Sequence, residues 1–170
     1  LGASLEPGWQ RLVMGASFGI ALTLVVFAGA DLFTGYTLSM PVGWLRRTLT
    51  ASDLARVWAI SWLGNLPGAL LLAGLLVAGG GGVLLGDGAP LLYKVAGAKM
   101  NGPGGELFAR AILCNWLVCL ALWMAARTAS DAAKLGVIFW CLFAFIASGY
   151  EHSVANMTLF SIALLGEHPD

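Results

Sequence analysis

Apolar runs long enough to cross a lipid bilayer constrain this chain more than any other feature. A hydrocarbon core of about 30 Å takes about 20 residues of helix to cross. Four stretches reach or exceed that length, at 11–45, 57–85, 106–134 and 135–166. The second reads as a single span ending in a glycine run, and the third holds one span over residues 107–126. The first and fourth are too long for one plain span. Asp31, Gly35 and Pro41 interrupt the first, and Gly149, Glu151 and His152 interrupt the fourth.

Composition points the same way. Residues are 59% hydrophobic and only 11% charged, too few charges to cover a soluble domain of 170 residues, so an all-α integral membrane protein is expected. Nine basic and nine acidic residues cancel. That balance excludes nucleic acid as a partner, because phosphate binding needs a clear basic excess. Cys114, Cys119 and Cys141 all lie inside apolar runs without C-x-x-C spacing, so neither a metal nor a cofactor is expected. The chain opens at Leu1 without an initiator Met and shows no basic segment followed by a short apolar one, so no signal peptide is expected. It ends just after an apolar run, and a fragment of a longer protein is expected.

The mixed connector over 86–108 reads as a short interfacial amphipathic segment. The other linkers are short, so residues 1–170 are expected to form a single transmembrane domain. Arg46, Arg47, Arg56, Arg127 and Lys134 fall on one face by crossing parity, against Lys94, Lys99 and Arg110 on the other. The excess puts the Arg46 and Arg127 side in the cytoplasm.

The two broken stretches align with each other. Gly149 and Glu151 stand 120 residues after Gly29 and Asp31, so each break reads Gly-x-acid at the end of a long apolar half-helix. Interrupted spans in corresponding positions are the mark of an internal repeat with a site near the bilayer midplane. With two spans between them, the broken segments run in opposite directions.

A break at membrane depth frees backbone groups that lipid cannot satisfy, so it must face protein or a water-filled cavity. The half-helix that follows presents its N–H groups and positive dipole end to the break, which favours an anion. His152 adds an imidazole that can carry a proton near physiological pH, and a bound anion favours that proton. His152 meets an anion in a pore, or is a buried neutral histidine bonded to a group of the other break, for which Thr34 is the candidate, and the two roles are compatible. Asp31 and Glu151 are expected to accept backbone N–H groups at their own breaks and stabilise them, with Asn156 beside Glu151. The Gly15/Gly19 and Gly64/Gly68 pairs allow close helix contact. Lys99, by itself, reads as a solvated surface lysine.

Three stretches together, "FAGADLFTGYT", "LCNWLVCLALWMAART" and "FIASGYEHSVANM", resemble the formate/nitrite transporter family, and the last two are most similar to its nitrite channel branch. The resemblance covers nearly the whole chain and is loosest over 79–106. It implies a homopentamer of aquaporin-like protomers in the bacterial inner membrane, each with its own pore, six helices and two inverted three-helix repeats. Helices two and five are the broken ones, and the family's first and sixth helices have no counterpart in these 170 residues. Carried over by position, His152 resembles the central pore histidine, Thr34 the hydroxyl facing it, and Asn115 a neighbour of that histidine. Leu22 and Phe145 resemble one apolar constriction, and Phe18, Leu32, Phe33 and Val118 the residues around the other. Lys99 resembles a vestibular lysine that attracts anions.

The resemblance then implies permeation of nitrite, with formate or hydrosulfide as related cargo. The anion gains affinity for a proton as it is desolvated and passes when neutralised. Two other readings are a membrane-embedded enzyme using Glu151 and His152, for which no nucleophile or metal ligand accompanies the pair, and a non-transporting structural subunit. Without the family's outer helices each repeat leaves an apolar wall unmatched. The isolated 170-residue chain is therefore expected to associate promiscuously in detergent, and a monodisperse pentamer in size-exclusion chromatography would refute this.

Overall fold

The computed structural model describes residues 5–166, and its regular structure is entirely helical. Helix α1 (Pro7–Ala28) starts with Pro7 in its first turn, where a missing N–H costs nothing. It stops at Gly29, whose left-handed backbone (φ 68°) any side chain would strain. After an extended Leu32, α2 (Phe33–Leu45) resumes. The break is thus confined to residues 29–32. Gly35 and Pro41, expected to interrupt the first stretch, lie inside α2 instead. Gly35 falls in the first turn, where its N–H reaches the Leu32 carbonyl at 2.9 Å, and one absent bond at Pro41 does not stop the helix.

Helix α3 (Ala51–Ala78) begins before its apolar run because Thr50 and Asp53 form a capping box. The Asp53 N–H donates to Thr50 Oγ1 at 3.1 Å, and the Thr50 N–H donates to Asp53 Oδ2 at 2.9 Å. The glycine run leads through the single turn α4 (Gly82–Leu85) to the connector helix α5 (Ala89–Met100). Ala89, Leu92 and Ala96 are its buried side, and α5 packs against the last helix. Helix α6 (Gly104–Ala125) follows, then α7 (Asp131–Ala147), capped by Ser130, and α8 (Ser153–Leu165). Helices α1, α3 and α6 are each long and apolar enough to cross a membrane.

The two breaks are built alike. Gly149 repeats the left-handed turn of Gly29 (φ 70°). Tyr150 N–H reaches the Phe145 carbonyl at 3.1 Å, as Ala30 N–H reaches Val25 at 3.0 Å. Extended His152 precedes α8 as extended Leu32 precedes α2, and α2 and α8 each run 13 residues.

Helices α1, α6 and α7 enclose the main core, centred on Phe145, Leu142, Ile138, Cys114 and Val118. Gly15 lies against Phe143 and Gly19 against Phe139, so α1 and α7 run antiparallel at close approach. Gly64 and Gly68 have no neighbouring helix within 4 Å of a Cβ position among the described residues. A Cβ on Gly15 would stand 3.1 Å from both the ring and the carbonyl of Phe143, and backbone cannot yield as a side-chain tip can. Gly15→Val is therefore expected to cost about 1–3 kcal/mol by overpacking. A fall in thermal unfolding temperature in detergent tests it, and an unchanged temperature would show that α1 and α7 do not pack this closely.

Candidate functional site

The extended residue before α8 is His152, and its side chain serves the backbone first. The Ala155 N–H donates to His152 Nδ1 at 3.2 Å, so the imidazole is the N-cap of α8. With Nδ1 accepting, the ring of the neutral side chain carries its hydrogen on Nε2, the nitrogen left for a guest.

Glu151 does not accept the backbone of its own break as expected. Its Oε2 takes Lys99 Nζ at 2.5 Å and Asn156 Nδ2 at 2.8 Å, while its own N–H reaches back to the Arg110 carbonyl on α6 at 3.4 Å. The carboxylate is buried, and a charge there is tolerable only when paired and hydrogen-bonded. Helix α5 supplies the pairing cation, so Lys99 is not a solvated lysine: its side chain is 20% exposed and tied to the break. In the first break the counterpart of Glu151 is Asp31. Asp31 itself is exposed.

Two cavities flank His152. The larger, about 410 Å³, is lined by both half-helix starts (Phe33, Thr34, Thr37; Glu151, His152, Ser153) and by α6 through Ala111, Ile112, Cys114, Asn115 and Trp116. The smaller, about 150 Å³, is walled by Phe18, Leu22, Leu32, Val118, Phe145 and their apolar neighbours, again with His152. Phe18 and Phe145 meet edge to face at 5.4 Å, and the His152 ring lies 6.1 Å from Phe145.

This geometry regroups the residues expected at two constrictions. Leu22, Phe145, Phe18, Leu32 and Val118 surround one apolar cavity, because packing of α1 on α7 brings both sets to the same level, whereas Phe33 lies on the polar side. Thr34, Asn115 and His152 come together as expected. The Thr34 to His152 hydrogen bond does not form. Thr34 Oγ1 is buried and is the one buried side-chain N or O atom without a hydrogen-bond partner among the described residues.

Sequence reading missed Thr37. It stands three residues after Thr34, on the same face of α2, a spacing that would have revealed it. Its Oγ1 lies 2.9 Å from Asn115 Oδ1 and 2.7 Å from the Thr34 carbonyl.

An all-helical membrane fold with paired helix breaks converging on a cavity is the class these features define. A family model described as formate/nitrite transporter matches residues 1–169, and the chain belongs to that family. Its relatives include the nitrite transporter NirC of Salmonella typhimurium, 51% identical over all of this chain and 62% of the relative's length. Among solved structures, an FNT family ion channel superposes with a TM-score of 0.92 at 50% identity, covering 99% of this chain and 67% of that one. A pentameric formate channel with formate bound gives 0.81 at 29% identity, covering 96% and 64%. The chain thus spans about three-fifths of the length of the curated relative. The matched proteins are named as transporters and channels, not enzymes.

An orphaned buried hydroxyl costs about 1–3 kcal/mol of stability. Thr34→Val, of nearly the same shape, is expected to hold or raise the unfolding temperature. A clear loss of stability would show that the hydroxyl has a partner within the fold.

Proposed function

We propose that this chain forms the ion path of a channel for small monovalent weak-acid anions, with nitrite as the principal cargo and formate or hydrosulfide as related ones. The observation that carries the reading is the position of His152, which lines both the polar cavity between the breaks and the apolar cavity beyond it. Residues 1–170 act as one transmembrane domain, supplying helices two to five of a six-helix, aquaporin-like protomer with inverted repeats. The protomers assemble as a homopentamer in a bacterial inner membrane. Identity to a nitrite transporter and likeness to a pentameric formate channel support the cargo class and the assembly.

In this mechanism the N-terminal dipole ends of α2 and α8 make the approach favourable to an anion, and Lys99, paired with Glu151, keeps that carboxylate from repelling it. Thr34 and Asn115 receive it in the polar cavity. Beyond His152 the wall is apolar, and an ion there loses its hydration. Desolvation disfavours the charged form of a weak acid, so the cargo's affinity for a proton rises along the path. The His152 Nε2–H donates a hydrogen bond to the anion at this boundary. A second proton on Nδ1 would displace the Ala155 N–H from its cap, so His152 guides the anion to a proton and does not need to become an imidazolium itself. Asp31, Glu151 and Asn156 keep the breaks in shape, with the Glu151 charge cancelled by Lys99.

Nitrite flux into liposomes carrying the protein, compared between wild type and His152→Ala over about pH 5–8, tests the reading. Loss of flux or of its pH dependence is expected. Unchanged flux with unchanged pH dependence would reduce His152 to a helix cap.

A further inference from the structure

The polar cavity contains a hydroxyl whose role neither the histidine nor the constrictions explain. Thr37 Oγ1 lies between two groups that only accept, Asn115 Oδ1 at 2.9 Å and the Thr34 carbonyl at 2.7 Å. One hydrogen serves both only as a shared bond. The Thr37 hydrogen is shared in this way between the Thr34 carbonyl and Oδ1, and Cys119 Sγ adds only weak contacts, 3.9 Å from that carbonyl and 3.5 Å from Thr37 Oγ1.

An amide has an accepting end and a donating end, and they demand opposite guests. A side-chain carbonyl facing the cavity would repel an anion, while the NH₂ end would bind it. Helix α2 presents a donor to Oδ1, so the NH₂ end is left for the cavity that Asn115 lines. Thr34, one turn before Thr37 on the same helix, lines the same cavity and carries a buried hydroxyl without a hydrogen-bond partner.

We propose that Thr37 is a positioning residue that fixes the orientation of the Asn115 amide, so that its NH₂ and the Thr34 hydroxyl form a two-donor seat for the anion. Thr37 does not contact the anion through its hydroxyl in this arrangement; it acts through Asn115. The inference rests on the anion-path reading above and assigns that cavity its affinity-setting element.

The test measures nitrite flux against nitrite concentration in liposomes for wild type, Thr37→Val, Thr37→Ser, Asn115→Leu and the double variant Thr37→Val/Asn115→Leu. Thr37→Val removes the hydroxyl at constant shape and is expected to raise the half-saturating concentration about five- to tenfold, the worth of the one neutral hydrogen bond that orients the amide. Maximal flux should change far less. Thr37→Ser should restore the wild-type value. On the Asn115→Leu background the same valine should have no further effect, because no amide remains to orient. Should the valine variant fail to assemble, Thr37→Ala is read in the same assay. An unchanged half-saturation in a variant that assembles, or a full additional loss in the double variant, overturns the inference and leaves the anion path standing. Wild-type protein that passes no nitrite overturns the anion path itself.

Discussion

A helix that stops inside a membrane leaves backbone donors and acceptors that lipid cannot satisfy, and every other feature of this protein answers that constraint. At each break a left-handed glycine turns the chain, and an i to i−5 backbone bond closes the end of the first half-helix. At the second break the His152 ring takes up one of the N–H groups at the start of α8, and the Glu151 N–H is carried to α6. The side chains that stabilise the break are therefore the side chains around the cavity. The demands of the fold and of the proposed ion path thus fall on one set of residues.

The asymmetry between the breaks follows from what packs against each. Helix α5 brings Lys99 to Glu151, and a buried carboxylate with a lysine and an amide is a neutral, fully bonded unit. Asp31 is exposed instead. Leu32 occupies the place that His152 holds in the other break, so only one break carries an imidazole. Two similar turns thus give two cavities, one with Thr34, Thr37, Asn115 and Glu151 in its wall and one walled by apolar side chains, and the histidine lines both.

Much of this was legible in the sequence. The four apolar stretches and the Gly-x-acid correspondence at a spacing of 120 residues are read from composition and spacing, and the helices and the two left-handed glycines bear them out. What sequence could not supply was side-chain partnership across helices. Lys99 looked solvated because its own helix is short and mixed, yet it lies against the break 52 residues away. Glu151 looked like a backbone cap because acids cap helices, but His152 sits one residue nearer α8 and takes the N–H first. Gly35 and Pro41 looked like breakers by type alone. A glycine breaks a helix where its backbone turns left-handed, and only Gly29 does so in that stretch.

The same economy explains how a path for an ion can exist in so apolar a chain. Charge is cancelled at Glu151, donors are gathered in a cavity of about 410 Å³, and the dry side is closed by Phe18 and Phe145. The central claim is that an anion rests between the two breaks on the polar side of His152. A structure of the protein in lipid nanodiscs saturated with nitrite tests it most directly. Density for nitrite is expected within hydrogen-bonding distance of Thr34 Oγ1 and the Asn115 amide. A cavity that stays free of nitrite at saturating concentration, with the anion bound elsewhere, would contradict the claim.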